Sequence, residues 1–79
     1  METRTEKFEA MLESIISEYH DIENRMEELK SRGKAKSVTF QQLMASKFTL
    51  QKLISRYEYY DLITKVDDHY VSTKTQASE

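Results

Sequence analysis

The chain has 79 residues, one glycine, and neither cysteine nor proline, and one third of its residues are charged. This length makes one small domain at most. The lack of cysteine excludes disulfides and thiolate metal sites, and so few turn residues suit long helices better than a β fold. The net charge of −2 conceals three blocks: nine acids and three bases over residues 1–29, seven bases and no acid over 30–57, then five acids and two bases.

The first predicted helix covers about residues 4–32. Thr3 followed by Glu6 has the spacing of a capping box. Phe8, Leu12, Ile15, Tyr19, Ile22, Met26 and Leu29 then recur at alternating steps of four and three, a heptad seam, with Met11 and Ile16 widening it. Gly33 supplies the left-handed position that closes helices, and Lys30 and Arg32 favour the negative end of the helix dipole.

"KSRGKAK" therefore reads as the turn of a helical hairpin, over residues 33–38. Its Lys34 and Lys36 lie beyond the first helix, so with Lys30, Arg32 and the outward Tyr59 they are the candidate partner contacts.

The second helix is expected over about 39–66, with Thr39 as N-cap, Gln42 as its box partner, and Val38 and Leu43 as a hydrophobic staple. Leu43, Leu50 and Tyr57 recur every seven residues, flanked by Phe40 and Ile54 on one side and Leu53 and Tyr60 on the other. A face that wide suits two neighbours. Residues 67–79 read as a polar, loosely held tail.

A short turn places the helices antiparallel, with Leu29 near Leu43, Ile22 near Leu50, Tyr19 near Ile54 and Ile15 near Tyr57. The same register brings Glu23 toward Lys47, and Glu18 or Asp21 toward Lys52 and Arg56. The basic second helix thus complements the acidic first one. The fold class is an all-α, coiled-coil-like hairpin. Leu12, Ile15, Ile16, Tyr19, Ile22, Leu29, Leu43, Leu50, Leu53, Ile54, Tyr57 and Tyr60 form its core and self-association surface, and dimerisation into a four-helix bundle is expected. Basic turn ends and acidic opposite ends attract when two such rods lie antiparallel.

Little in the sequence points to catalysis. Ser17 stands where a bundle metal site needs glutamate before His20, which should face solvent. "DDH" at 67–69 puts carboxylates beside an imidazole, but consecutive helical residues diverge. A single glycine cannot form a phosphate loop. The expectation is a non-enzyme without cofactor or metal, acting as an adaptor, regulator or inhibitor-type hairpin that self-associates and binds another protein.

Nucleic acid is the alternative partner, through the basic turn and helix 2, where "RYEYY" interleaves arginine and tyrosines; the acidic balance of the chain weighs against it. No apolar run reaches the roughly 18 residues of a membrane span, and "METRTEKFEAML" has no apolar signal core, so no membrane association and a cytoplasmic location are expected. The layout resembles small bacterial helical hairpins that pair into four-helix bundles, including the plasmid copy-number RNA-binding type, without a motif that matches residue by residue. The Trp-x-Gly turn of type VII secretion hairpins is replaced here by "SRGKAK".

Overall fold

A computed structural model describes residues 2–67 and 69–73. Its elements are helix α1 (Arg4–Ser31), helix α2 (Val38–Tyr59), and strands β1 (Ile63–Val66) and β2 (His69–Ser72). The helices form the expected hairpin, and a two-stranded antiparallel sheet packs against it.

Both ends of α1 follow the local sequence. Thr3 Oγ1 accepts the Glu6 N–H at 3.1 Å and Glu6 Oε1 accepts the Thr3 N–H at 2.9 Å, which satisfies two of the orphan donors at the helix start. At the other end Gly33 has φ of 73°; its N–H donates to the Lys30 carbonyl, and that of Lys34 to Leu29. This is a Schellman closure. A Cβ on Gly33 would meet nothing within 4 Å, so glycine is there for its backbone conformation and not for space.

The N-cap of α2 lies two residues before the expected one. Ser37 Oγ accepts the Phe40 N–H at 3.1 Å, so Ser37 caps in place of Thr39. Val38 becomes the first helical residue and remains 70 % exposed, which rules out its role as a staple.

The larger correction lies at the far end, where α2 stops at Tyr59 and not near residue 66. Asp61 takes the left-handed position with φ of 60°; its N–H donates to the Glu58 carbonyl, and that of Leu62 to Tyr57. This repeats the Schellman bonds of α1 with aspartate in place of glycine. Aspartate tolerates that region better than most residues.

Residues 63–72 then form a β-hairpin, where the sequence suggested a fraying helix and a loose tail. Ile63 pairs with Ser72, and Val66 with His69, so two residues make the connection. Its first residue, Asp67, is left-handed with φ of 56°, as tight hairpin turns require. Residues 74–79 of the expected tail lie outside the described residues.

The contacts between the helices run antiparallel. Phe8 meets Tyr57 edge-to-face at 6.3 Å, Gln51 Nε2 donates to Tyr19 Oη at 3.2 Å, and Glu23 pairs with Lys47 at 3.6 Å; of these three, Glu23–Lys47 is the pair that the expected register brought together. The buried core comprises Leu12, Ile16, Tyr19, Ile22 and Met26 from α1, Phe40, Leu50 and Ile54 from α2, and Ile63 from β1. Ile15, Leu29, Leu43 and Tyr57 pack half-buried at its margin. Leu53 and Tyr60, expected in the apolar seam, are 42 % and 62 % exposed in the single chain.

The hairpin covers one flank of α1. Tyr70 N–H donates to His20 Nε2 at 3.3 Å, the Tyr70 and Tyr19 rings meet edge-to-face at 5.3 Å, and Ser72 Oγ donates to Glu9 Oε1 at 3.0 Å. His20 is thus an acceptor beneath the sheet, not the solvated side chain that its position after a seam residue suggested. A proton-free Nε2 is what this bond needs.

Burial raises the Tyr19 phenol above its ordinary value of 10.0, the Glu23 and Tyr70 charges push the same way, and the Gln51 amide opposes them. Since the folded value exceeds the unfolded one, the stabilising effect is full below about pH 10. It declines as pH rises through the folded value, because the unfolded chain ionises first. Tyr19→Phe should therefore flatten the fall in urea midpoint from pH 9 to pH 11 (pH values about the phenol range). An equal fall in both proteins would remove Tyr19 as the cause.

Candidate functional site

Among the described residues, two exposed surfaces stand out once the hairpin is seated. The first is a trough between the outward side of α2 and the hairpin, with a volume of about 880 Å³. It is lined by Phe48, Gln51, Lys52, Ser55, Arg56 and Tyr59 of α2 and by Tyr70 of β2. Helix geometry explains the set. Ile54 is fully buried, and residues two before and two after it lie about 200° away around a helix of 3.6 residues per turn. Lys52 and Arg56 must therefore point outward, and neither meets an acid among the described residues. Phe48, Lys52, Ser55 and Tyr59 follow the same flank at steps of four, three and four.

The aromatic side chains of the trough are wet. Phe48 is 54 % exposed and Tyr59 79 %. Tyr60 stands edge-on against Tyr59 with ring centres 5.1 Å apart, and Lys65 Nζ lies 5.8 Å from the centre of the Tyr70 ring. The trough thus joins two cations, Lys52 and Arg56, to exposed rings, with Lys65 beside its Tyr70 wall, and no carboxylate lines it.

The second surface is the flank of the helix pair away from the hairpin. On α1 the hairpin touches Glu9 and His20. Met11 and Ile15 lie on the other side of the Leu12–Tyr19 line. On α2, Leu53 lies across the Leu50–Ile54 line from the trough. Met11 and Leu53 are exposed, and Ile15, Leu29 and Leu43 are half-buried. A shallow depression between Leu29, Leu43, Arg25, Glu28 and Thr39 continues this face toward the turn.

The basic turn divides. Lys30 pairs with Glu27 at 3.7 Å and Arg32 with Glu28 at 3.0 Å, so both belong to the end of α1. Lys34 and Lys36 are exposed and have no ion pair among the described residues. Tyr59 sits at the other end of the 22-residue α2, on the order of 33 Å from the turn at 1.5 Å per residue. The five expected contact residues do not form one site.

The expected approach of Glu18 or Asp21 to Lys52 and Arg56 does not occur; Asp21 pairs with Arg25 at 3.6 Å. The structure instead leaves Lys52 and Arg56 with Tyr59, an arrangement legible in the outward spacing around Ile54. Phe48 belongs to the same spacing, and Tyr70 reaches it only through the hairpin.

Of the "DDH" stretch, Asp67 is exposed in a left-handed turn position, Asp68 lies outside the described residues, and His69 opens β2 with its ring centre 5.3 Å from that of His20. Among the described residues no group of three or more His, Asp or Glu is placed to hold a metal. No helix among them is long and apolar enough to cross a membrane. Comparison with known family models, curated proteins and solved structures finds no match to this chain.

Proposed function

We propose that this chain is a small non-catalytic interaction module that self-associates through the flank opposite its β-hairpin and, so assembled, binds another protein. One observation carries the reading. The hairpin shields one side of a two-helix layer and leaves Met11 and Leu53 exposed on the other, beside half-buried Ile15, Leu29 and Leu43. Nine buried apolar residues among those described make a thin core. Two such layers placed flank to flank make a four-helix bundle with a hairpin on each outer side.

Light scattering coupled to gel filtration tests this. The expected mass is twice the 9.4 kDa of one chain. Met11→Lys combined with Leu53→Lys should give a folded monomer with unchanged helical circular dichroism, since both side chains are already partly in water. A wild-type protein that remains monomeric at its highest soluble concentration would overturn the reading.

A further inference from the structure

We propose that the trough between α2 and the β-hairpin is a docking site for a short acidic segment of a partner protein, with an apolar residue set between two carboxylates. This rests on the protein-binding half of the reading above but uses a surface distinct from the self-association flank.

Charge complementarity identifies the occupant. Residues 30–57 carry seven bases and no acid. Four of these bases lie near the turn, and Lys47 is engaged by Glu23. Lys52 and Arg56 remain, one helical turn apart on the outward side of α2 and unopposed by any acid among the described residues. Lys65 stands over the far wall at Tyr70. Two carboxylates of a bound segment would meet Lys52 and Arg56, with arginine offering the two-pronged fork that carboxylates fit.

The apolar part of the recognition comes from the rings. Phe48 and Tyr59 mark the two ends of the trough on α2, eleven residues apart, or about 16 Å along the helix axis. That length holds about five extended residues at roughly 3.3 Å each. Phe48 and Tyr59 expose more surface than the core could use, and Tyr60 braces Tyr59 edge-on. A ring or aliphatic side chain from the partner would lie between them above Gln51 and Ser55.

Single-stranded nucleic acid is the competing occupant, because cations interleaved with rings can also stack bases. One observation favours the acidic protein segment. The cation row on α2 is short, ending at Arg56, and Glu58 and Asp61 follow it where the helix ends. A nucleic-acid strand needs phosphate contacts that continue along its path, and the acids would repel it there.

The experiment is an amide chemical-shift titration of the full chain. One probe is a synthetic pentapeptide of acidic residues with a central phenylalanine; the others are its Gln/Asn-substituted counterpart and a short oligothymidine. We expect the acidic peptide to shift amides of residues 48–59 and 65–70, at least tenfold more tightly than the neutral peptide. Lys52→Gln with Arg56→Gln should weaken that binding about tenfold while the spectrum elsewhere stays unchanged. Phe48→Ala should weaken it by a smaller factor.

Equal binding of acidic and neutral peptides would overturn the proposal, as would shifts confined to the Lys34–Lys36 turn or tighter binding of the oligothymidine at the trough. Light scattering on the same samples separates this result from the self-association reading. The Lys52 and Arg56 variants should keep the wild-type mass whether or not the peptide binds, and a change to monomer would show that a second copy occupies the trough.

Discussion

Replacing Ile54 by asparagine is expected to unfold the chain. Ile54 has no exposed surface, and it sits where α2 faces the α1 residues of the core. Truncating such a side chain costs about 2–5 kcal/mol in lost transfer energy and residual cavity. An amide placed there without a partner adds about 1–3 kcal/mol. A domain of this length has on the order of 4–12 kcal/mol of total stability.

The single change therefore removes a large part of what holds the molecule, and thermal melting followed at 222 nm (a helical band) should show little folded protein at 37 °C, about where marginal domains fail. Leu53→Asn, one residue earlier, is the contrast. Leu53 is already 42 % exposed, so its loss should leave the melting of the monomeric chain within a few degrees and act on the oligomeric mass instead. If both variants melted alike, the face of α2 assigned to the core would be wrong.

The contrast between Ile54 and Leu53 also marks how far the sequence could be read. Helix α1 was legible from end to end because three signals agree: the Thr3–Glu6 box, the unbroken four-three seam, and Gly33 in the left-handed position. At the start of α2 two caps competed. Ser37 and Thr39 are both good caps, and Ser37 prevails; its hydroxyl also donates to the Lys34 carbonyl, tying cap to turn. The end of α2 had no glycine to announce it, since Asp61 takes the position that glycine would.

Past that point "ITKV" and "HYVS" are rich in β-branched and aromatic residues around a two-residue Asp-Asp connection. That is a strand signal, but a helical stripe running up to Tyr60 masks it. His20 was invisible for a related reason. A residue adjacent to a seam faces solvent only if nothing else packs there, and the hairpin that packs there was itself unread.

The candidate site shows the same division between local and distant information. Lys30 and Arg32 act as the composition of a helix end implies, bound to Glu27 and Glu28. Lys52 and Arg56 looked like the complement of acidic α1, because total charge ignores direction. Their separation by two residues from buried Ile54 already turns them away from α1. The far wall of the trough, Tyr70, comes from a strand eleven residues beyond Tyr59, and no helical periodicity could bring it there.

Replacing Ile63 by asparagine should release the β-hairpin while the helices persist. Ile63 is 2 % exposed, the one β1 side chain in the buried core, and it pairs with the equally buried Ser72. Other ties of the sheet to the helices include polar or peripheral contacts: Tyr70 N–H to His20, Ser72 Oγ to Glu9, the Tyr70 ring against Tyr19 and the His69 ring against His20. Its closing bonds, Thr73 N–H to the Leu62 carbonyl at 2.9 Å and the Thr64–Thr73 hydroxyl pair at 3.1 Å, lie within the hairpin itself.

A two-stranded hairpin is marginal in water without a surface to pack on. Losing about 2–5 kcal/mol at its anchor should therefore open it as a local unit, below the free energy of global unfolding. Amide hydrogen exchange should show the protection of Tyr70 and Ser72 lost and that of Ile16, Ile22 and Leu50 retained, with little change in helical signal. Binding of the acidic peptide should weaken in the same variant, because the wall formed by Tyr70 leaves the trough. Uniform loss of protection across α1 and α2 would mean that the hairpin is part of the single cooperative core, and that Ile63 supports the helices as much as the strands.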